Sequence, residues 1–230
     1  MDGIFKRLKY YGIGFSIGLV FVIFFFQNRG CSWLPDNRVK NSILDRVLVV
    51  PDSELALMGK YGITKKELSL VLNDGEVLFK ESKKEGNPKV YVIEKETLNS
   101  KKQKFYFILA KESFIAELHF SHSPKDNSTQ GEGEMIYFPD DKNLVFPDSS
   151  SNVNCQQDFL KMVDSRDILK SMKKYGKIDF SKSHLSITPK PEHFLTFKDK
   201  ENRTISCKAI WYKNKINITN FIIPYNNPCN

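Results

Sequence analysis

The sequence predicts an α+β protein: an N-terminal transmembrane helix followed by two similar modules, each of two short helices and an antiparallel sheet of three or four strands. Three observations lead there. Residues 10–26 carry no charge; two motifs recur in order further along the chain; and after each occurrence of the second motif the apolar period changes from that of helices to that of strands. With 230 residues, 40% of them apolar and 27% charged, the chain is long enough to bury a core. That balance excludes wholesale disorder, collagen-like repetition and a disulfide-dense miniprotein.

Residues 10–26 read YYGIGFSIGLVFVIFFF. At about 1.5 Å per residue the run spans about 25 Å, slightly short of a hydrocarbon core of about 30 Å. Tyr10 and Tyr11 suit one interface, and Lys9 and Arg29 can reach outward at either end. A cleavable signal peptide and lipidation at Cys31 are weaker alternatives. The segment before Gly30-Cys31-Ser32 is polar and bulky, and Asn28 stands where a lipidation site wants a Leu-like residue. The expectation is therefore a retained, single-pass anchor in a bacterial inner membrane. Its cationic tail (Lys6, Arg7, Lys9) would lie inside and residues 31–230 outside. Gly14 and Gly18 form a GxxxG, which reads as ordinary membrane-helix glycine rather than a dimer face.

The motif LVVPDS at 48–53 returns as LVFPDS at 144–149, and GEVLFKES at 75–82 returns as GKIDFSKS at 176–183. Two matches in the same order point to a tandem repeat. The first module, 38–120, has an apolar lead-in at 41–50. A short helix from Asp52 or Ser53 then runs to about Lys60 and stops at Gly62. Thr64-Lys65-Lys66-Glu67 is a capping box, and the helix behind it ends at Asn73-Asp74-Gly75. Strands follow at Val77 and Phe79, at 90–93, 105–110 and 114–120. Residues 121–134 make a polar, acidic linker. The second module, 135–225, repeats the order: a helix at 155–163, a second capped by Ser165, and strands near 177–180, 194–197, 204–212 and 215–223, with a turn at Asn214.

The stretch YGITKKELSLVLNDGEV at 61–77, followed by strands, resembles a small bacterial domain of unknown function related in fold to the RelE/ParE toxin group. Similar modules occur in single-pass membrane proteins of Bacteroidetes. The resemblance covers 40–120 well and 144–223 loosely. It implies helices packed on an antiparallel sheet and transfers no catalytic residue, since its motifs are helix caps and strand cores.

Catalytic signatures are absent from the sequence: there is no HExxH, CxxC, GxSxG or phosphate loop. Neither His119 nor His122 has a nearby Cys or carboxylate to complete a metal set. His119 alternates with Leu118 and Phe120 and reads as solvent-facing; His184 and His193 stand apart. The GEGE at 131–134 would repel phosphate, and Asp140-Asp141 reads as a turn rather than a calcium site. No catalytic residue, metal or cofactor is expected. Cys155, Cys207 and Cys229 admit a disulfide whose pairing stays open, buried free thiols being the alternative.

The net charge of +8 divides as +4 for 1–40, +1 for 41–120, −4 for 121–154 and +7 for 155–230. The second module is thus the basic one, and Lys170, Lys173, Lys174, Lys177 and Lys182 form a candidate patch for an anionic partner. The functional expectation is a membrane-anchored extracytoplasmic protein, a non-catalytic interaction or scaffold module rather than an enzyme. Its partners would be the bilayer, through residues 10–26, and another membrane or envelope protein. Nucleic acid is set aside because the domains are placed outside the cell. The alternative is a tethered, toxin-like ribonuclease or nucleic-acid-binding domain.

Overall fold

The computed structural model describes residues 7, 9–19, 34–96, 102–120, 129–161, 164–185, 187, 189–223 and 229, with the backbone alone for Lys65, Lys66 and Ser69. The chain divides into two compact units, 1–41 and 42–230. The smaller unit holds a helical stretch over 9–19 whose side chains are exposed, and the beginning of α1 (Pro35–Leu44).

In the larger unit the elements run β1 (Val47–Pro51), α2 (Asp52–Lys60), α3 (Lys65–Asp74), β2 (Glu76–Val77), β3 (Lys89–Glu96), β4 (Lys102–Leu109), β5 (Ile115–His119) and β6 (Glu132–Tyr137). They continue as β7 (Val145–Pro147), α4 (Ser151–Leu160), α5 (Ser165–Tyr175), β8 (Lys177–His184), β9 (Glu192–Lys198), β10 (Thr204–Tyr212) and β11 (Lys215–Ile222). Local chemistry explains the helix boundaries. The Thr64 hydroxyl accepts from the Glu67 N–H while the Glu67 carboxylate accepts from the Thr64 N–H, the reciprocal bonds of a capping box. Asp164, one residue ahead of the expected cap, accepts from the Arg166 N–H at 2.8 Å and starts α5. Both second helices end at a glycine under the sheet. A Cβ on Gly75 would lie 2.5 Å from the Val71 carbonyl, and one on Gly176 2.4 Å from the Met172 carbonyl, so no larger residue fits at either position.

The strands form one eleven-stranded sheet in the order β2-β3-β4-β5-β1-β6-β8-β9-β10-β11-β7. Neighbours are antiparallel except β1 with β5 and β7 with β11. The expectation of two modules with separate sheets is therefore corrected. Two segments missed as strands join everything: β1, read as a lead-in, and β6, which starts inside the expected linker. Met135 and Glu134 pair with Val49 and Val50 on one side, and Gly133 with Ile178 on the other. The recurring motifs fall at corresponding places in this single sheet rather than marking two bodies.

β1 is buried on both faces. Val47 and Val49 belong to a core cluster with Met135, Ile178, Leu195, Phe197, Cys207 and the α5 residues Ile168, Leu169 and Met172. Leu48 pairs with Ala116, on the side shared with Leu118 and Phe107. There α3 closes over Phe105, tied down by Lys95 Nζ on the Leu70 carbonyl at 3.0 Å. Helices α2 and α3 thus cover one face of the first wing of the sheet, strands β1–β5, and α4 and α5 the opposite face of the second, strands β7–β11, with β6 between them. The alternation along β9 follows: His193, Leu195 and Phe197 are buried, while Glu192, Phe194, Thr196 and Lys198 stand on a face that no described helix covers.

The membrane anchor is also corrected. Among the described residues no helix is long and apolar enough to cross a membrane, and this removes the support for a single-pass inner-membrane location. Residues 20–26 of the expected span, Cys31 and most of the expected linker, His122 included, lie outside the described residues.

Candidate functional site: a lysine-flanked groove around Tyr175

Helix α5 places its buried stripe, Ile168, Leu169 and Met172, on the core, so Lys170, Lys173 and Lys174 project outward on the opposite side. Its last residue, Tyr175, is exposed at the rim of the sheet. The Lys174 ammonium lies 4.7 Å from the Tyr175 ring centroid, and the Lys198 ammonium, arriving from the end of β9, lies 5.6 Å from it. Two depressions meet at this Lys–Tyr–Lys station. One, about 280 Å³, lies between α5 and the β9–β10 turn and is lined by Lys161, Lys170, Ser171 and Lys200. The other, about 480 Å³, opens over the start of β8 and is lined by Glu132, Lys177 and Thr196.

Five of the carboxylates around the groove, Asp164, Asp167, Asp199, Glu201 and Glu132, are paired with neighbouring cations; Glu134 also lines it. Asp167 pairs with Lys200 at 2.8 Å and Lys170 at 3.8 Å, and Asp164 with Arg166 at 3.4 Å. Arg203 takes both Asp199, at 2.6 Å, and Glu201, at 3.3 Å. Glu132 holds Lys177 at 3.1 Å. The Asp199 carboxyl is pushed up by burial, but the Arg203 hydrogen bond and charge outweigh this and hold it below the ordinary range. Hydrogen bonding to Glu132 raises the Lys177 ammonium. Lys174 and Lys198 have no carboxylate partner among the described residues; the Tyr175 ring is what they rest on.

The expected lysine patch is therefore divided. Lys170 and Lys174 line the groove; Lys173 is exposed on α5; Lys177 is neutralised at the mouth by Glu132 and by Asp52 at 3.5 Å. Lys182 sits farther along the sheet, paired with Asp179 at 2.8 Å and 5.1 Å from the Phe194 ring. The residues the sequence reading missed are Tyr175, Lys198 and Lys200. Tyr175 was not legible: it ends α5 three residues after Met172, where helical period places it with the buried stripe, and only the folded chain leaves it exposed.

Elsewhere the chemistry-bearing residues are enclosed. The His193 Nε2 and the Ser113 hydroxyl are 2.8 Å apart in the core, both fully buried, with the Phe114 ring tilted against the imidazole at 4.2 Å. Burial drives the His193 pKa down to about 3, a fall that the Ala209 backbone tempers and the Arg46 charge deepens. This pair is sealed from substrate and serves to join the β4–β5 turn to β9. His119 is not solvent-facing as its alternation suggested. Its side chain is 12% exposed and stands between Glu54 at 3.6 Å and Glu117 at 3.4 Å, with Thr129 donating to Glu117. Glu54 also caps the end of β5 by accepting from the Phe120 N–H at 2.9 Å. No metal-binding group of three is formed among the described residues. Cys155 and Cys229 are disulfide-bonded with Cα atoms 5.7 Å apart. Cys207 is a buried free thiol whose pKa burial pushes up.

No protein-family model matches the chain, and neither a curated protein nor a solved structure matches it. The RelE-type resemblance, the tandem-repeat relationship and the signal anchor accordingly have no support from known families.

Proposed function

We propose that the chain is a non-catalytic interaction module whose working surface is the groove around Tyr175, and that its partner is anionic. One observation carries this reading: Asp164, Asp167, Asp199, Glu201 and Glu132 at the groove are paired with neighbouring cations, while Lys174 and Lys198 rest on an aromatic ring with no carboxylate partner among the described residues. A cation held by a ring alone stays available to an incoming anion, because an exposed cation–π contact is worth only about 0.5–1 kcal/mol. The +7 charge of residues 155–230 concentrates anions near this surface. The non-catalytic part draws support from the lining. The Ser171 hydroxyl, the nearest nucleophile, donates to the Lys198 carbonyl, and no histidine among the residues lining either depression could activate it.

The test is binding of the purified chain to a heparin-type polyanion. Binding is expected at about 50 mM salt and should weaken as salt rises, as displacement of counterions requires. Lys174→Glu combined with Lys198→Glu should weaken it about tenfold or more, while Lys83→Glu, in the first wing, should leave it unchanged. No binding, or equal losses from both variants, would remove the groove as the site.

A further inference from the structure

We infer that the anionic partner is single-stranded nucleic acid, lying across the open face of β8, β9 and β10 from Tyr175 to Tyr212. This rests on the anion-binding reading above and names its ligand. The cross-strand register defines the face. Lys177, Thr196 and Ser206 stand opposite one another in one row, and Asp179, Phe194 and Lys208 in the next. The buried partners Ile178, Leu195 and Cys207 point the other way, into the core.

Along this face aromatic rings alternate with ammonium groups at three stations. Tyr175 lies at one end between Lys174 and Lys198. Phe194 lies midway, with Lys182 at 5.1 Å. Tyr212, exposed at the far end, has Lys190 at 4.5 Å and Lys213 at 5.2 Å. Lys213 is placed there by a two-residue hairpin turn in which Lys213 and Asn214 both have positive φ, the geometry of a type I′ turn. From Lys198 to Glu192 strand β9 covers about 20 Å at about 3.3 Å per residue, with Lys190 two residues beyond its end, room for about four nucleotides, the lower end of an open single-strand platform.

The carboxylates on the face are again neutralised: Asp179 by Lys182 at 2.8 Å and Glu192 by Lys208 at 2.8 Å. Lys190 and Lys213, like Lys174 and Lys198, have only rings for partners among the described residues. The exchange on binding is favourable. Displacing an ammonium from an exposed ring forfeits a few-fold in the equilibrium, whereas a base stacked on that ring returns about fivefold to more than a hundredfold, and the released ammonium gains a phosphate. A duplex hides its base faces and a lipid headgroup has none, whereas each unpaired base offers a π-face to a ring beside the phosphate that its ammonium takes.

The experiment uses the full chain and three probes: a mixed-sequence RNA of about twelve nucleotides, the same sequence as a duplex, and heparin, with phosphatidylserine vesicles as a fourth arm. Expected are preference for the single strand over the duplex by about tenfold or more, a salt slope near −3 for about four phosphates, and RNA recovered intact. Tyr175→Ala and Tyr212→Ala should each weaken RNA binding about fivefold or more while heparin binding changes less than about twofold; Tyr212→Phe, which keeps the ring, should bind as the parent does. Equal binding of duplex and single strand, tyrosine variants without effect, or vesicle binding in place of RNA binding would overturn the nucleic-acid inference and leave the anion-binding groove standing. No binding to any polyanion would overturn both. Cleaved RNA would overturn the non-catalytic reading instead.

Discussion

The two wings of the sheet share a backbone and differ in what they do with their lysines. In each, a short strand leads into two helices and then four strands, and the leading strand lies parallel to the last. Matching residues do matching work. The Ser82 hydroxyl donates to the Leu78 carbonyl at 2.8 Å and accepts from the Val92 N–H at 3.0 Å. Ser183 does the same with Asp179, at 2.6 Å, and Phe194, at 2.9 Å. Above that shared backbone the first wing spends its ammonium groups on carboxylates: Lys102 on Glu94, Lys104 on Glu81, Lys95 on Asp74. The second rests Lys174, Lys198, Lys190 and Lys213 on tyrosine rings. The serine bonds are common to both wings, whereas ammonium groups resting on tyrosine rings mark the second; there Lys177, Lys182, Lys200 and Lys208 are ion-paired, and in the first Lys84 stands 5.8 Å from the Phe79 ring. We rest the proposal that the working surface lies in the second wing on that difference.

The comparison can be broken first at its covalent asymmetry. Among the described residues the one crosslink, Cys155–Cys229, lies in the second wing and closes a loop with a sequence separation of 74. On the chain-entropy account, Cys155→Ser with Cys229→Ser should cost about 4 kcal/mol, read as a fall in the urea midpoint at unchanged slope. A loss below about 1 kcal/mol would mean that the link does not constrain the unfolded chain.

Next in size is the buried imidazole, also confined to the second wing. The His193 pKa is depressed from 6.5 to about 3. Below about pH 6.5 the unfolded chain therefore takes up a proton that the folded chain refuses. Its contribution is whole above that pH and is lost as pH falls, by about 2 kcal/mol at pH 5. Urea titrations at pH 7 and pH 5 should show this drop in the parent and a much flatter dependence in His193→Gln. Parallel pH profiles would place His193 in contact with solvent.

The matched serines sharpen the likeness instead. Ser82→Ala and Ser183→Ala each strand a backbone N–H, and each should cost about 1–2 kcal/mol. Unequal losses would show that the two bends differ in strain or solvent access. Smallest is the cap: Thr64→Ala should cost about 1 kcal/mol, and Asp164→Ala about the same, since each removes one acceptor at a helix N-terminus. Thermal unfolding of the two single variants is sufficient to compare them.

What could be read from the chain alone was local. The capping box at Thr64 and Glu67, the glycine stop at 75, the α3 and α5 helices and the turn at Asn214 depend on groups within a few residues of one another. Sequence spacing expresses such interactions directly. Of the candidate site, the α5 lysines were legible because helical periodicity puts them on one side. Lys198, Lys190 and Tyr212 were not, because their neighbours across strands lie far away in sequence.

Tertiary structure alone decided the rest. Whether β1 and β6 are strands depends on partners such as Ile115, Met135 and Ile178, and the Glu132-Gly133-Glu134 stretch looks like a linker until β8 pairs with it. Gly133 is needed there because a Cβ would meet Val49 at 2.7 Å and Phe180 at 2.8 Å, a crowding that no single segment discloses. His119 was misplaced for the same reason, its surroundings being supplied by Glu54 from another element. Strand pairing is a long-range choice whose hydrogen-bond partners are absent from the local sequence. The joining of the two wings, and the face left open by it, therefore became visible only in the folded chain.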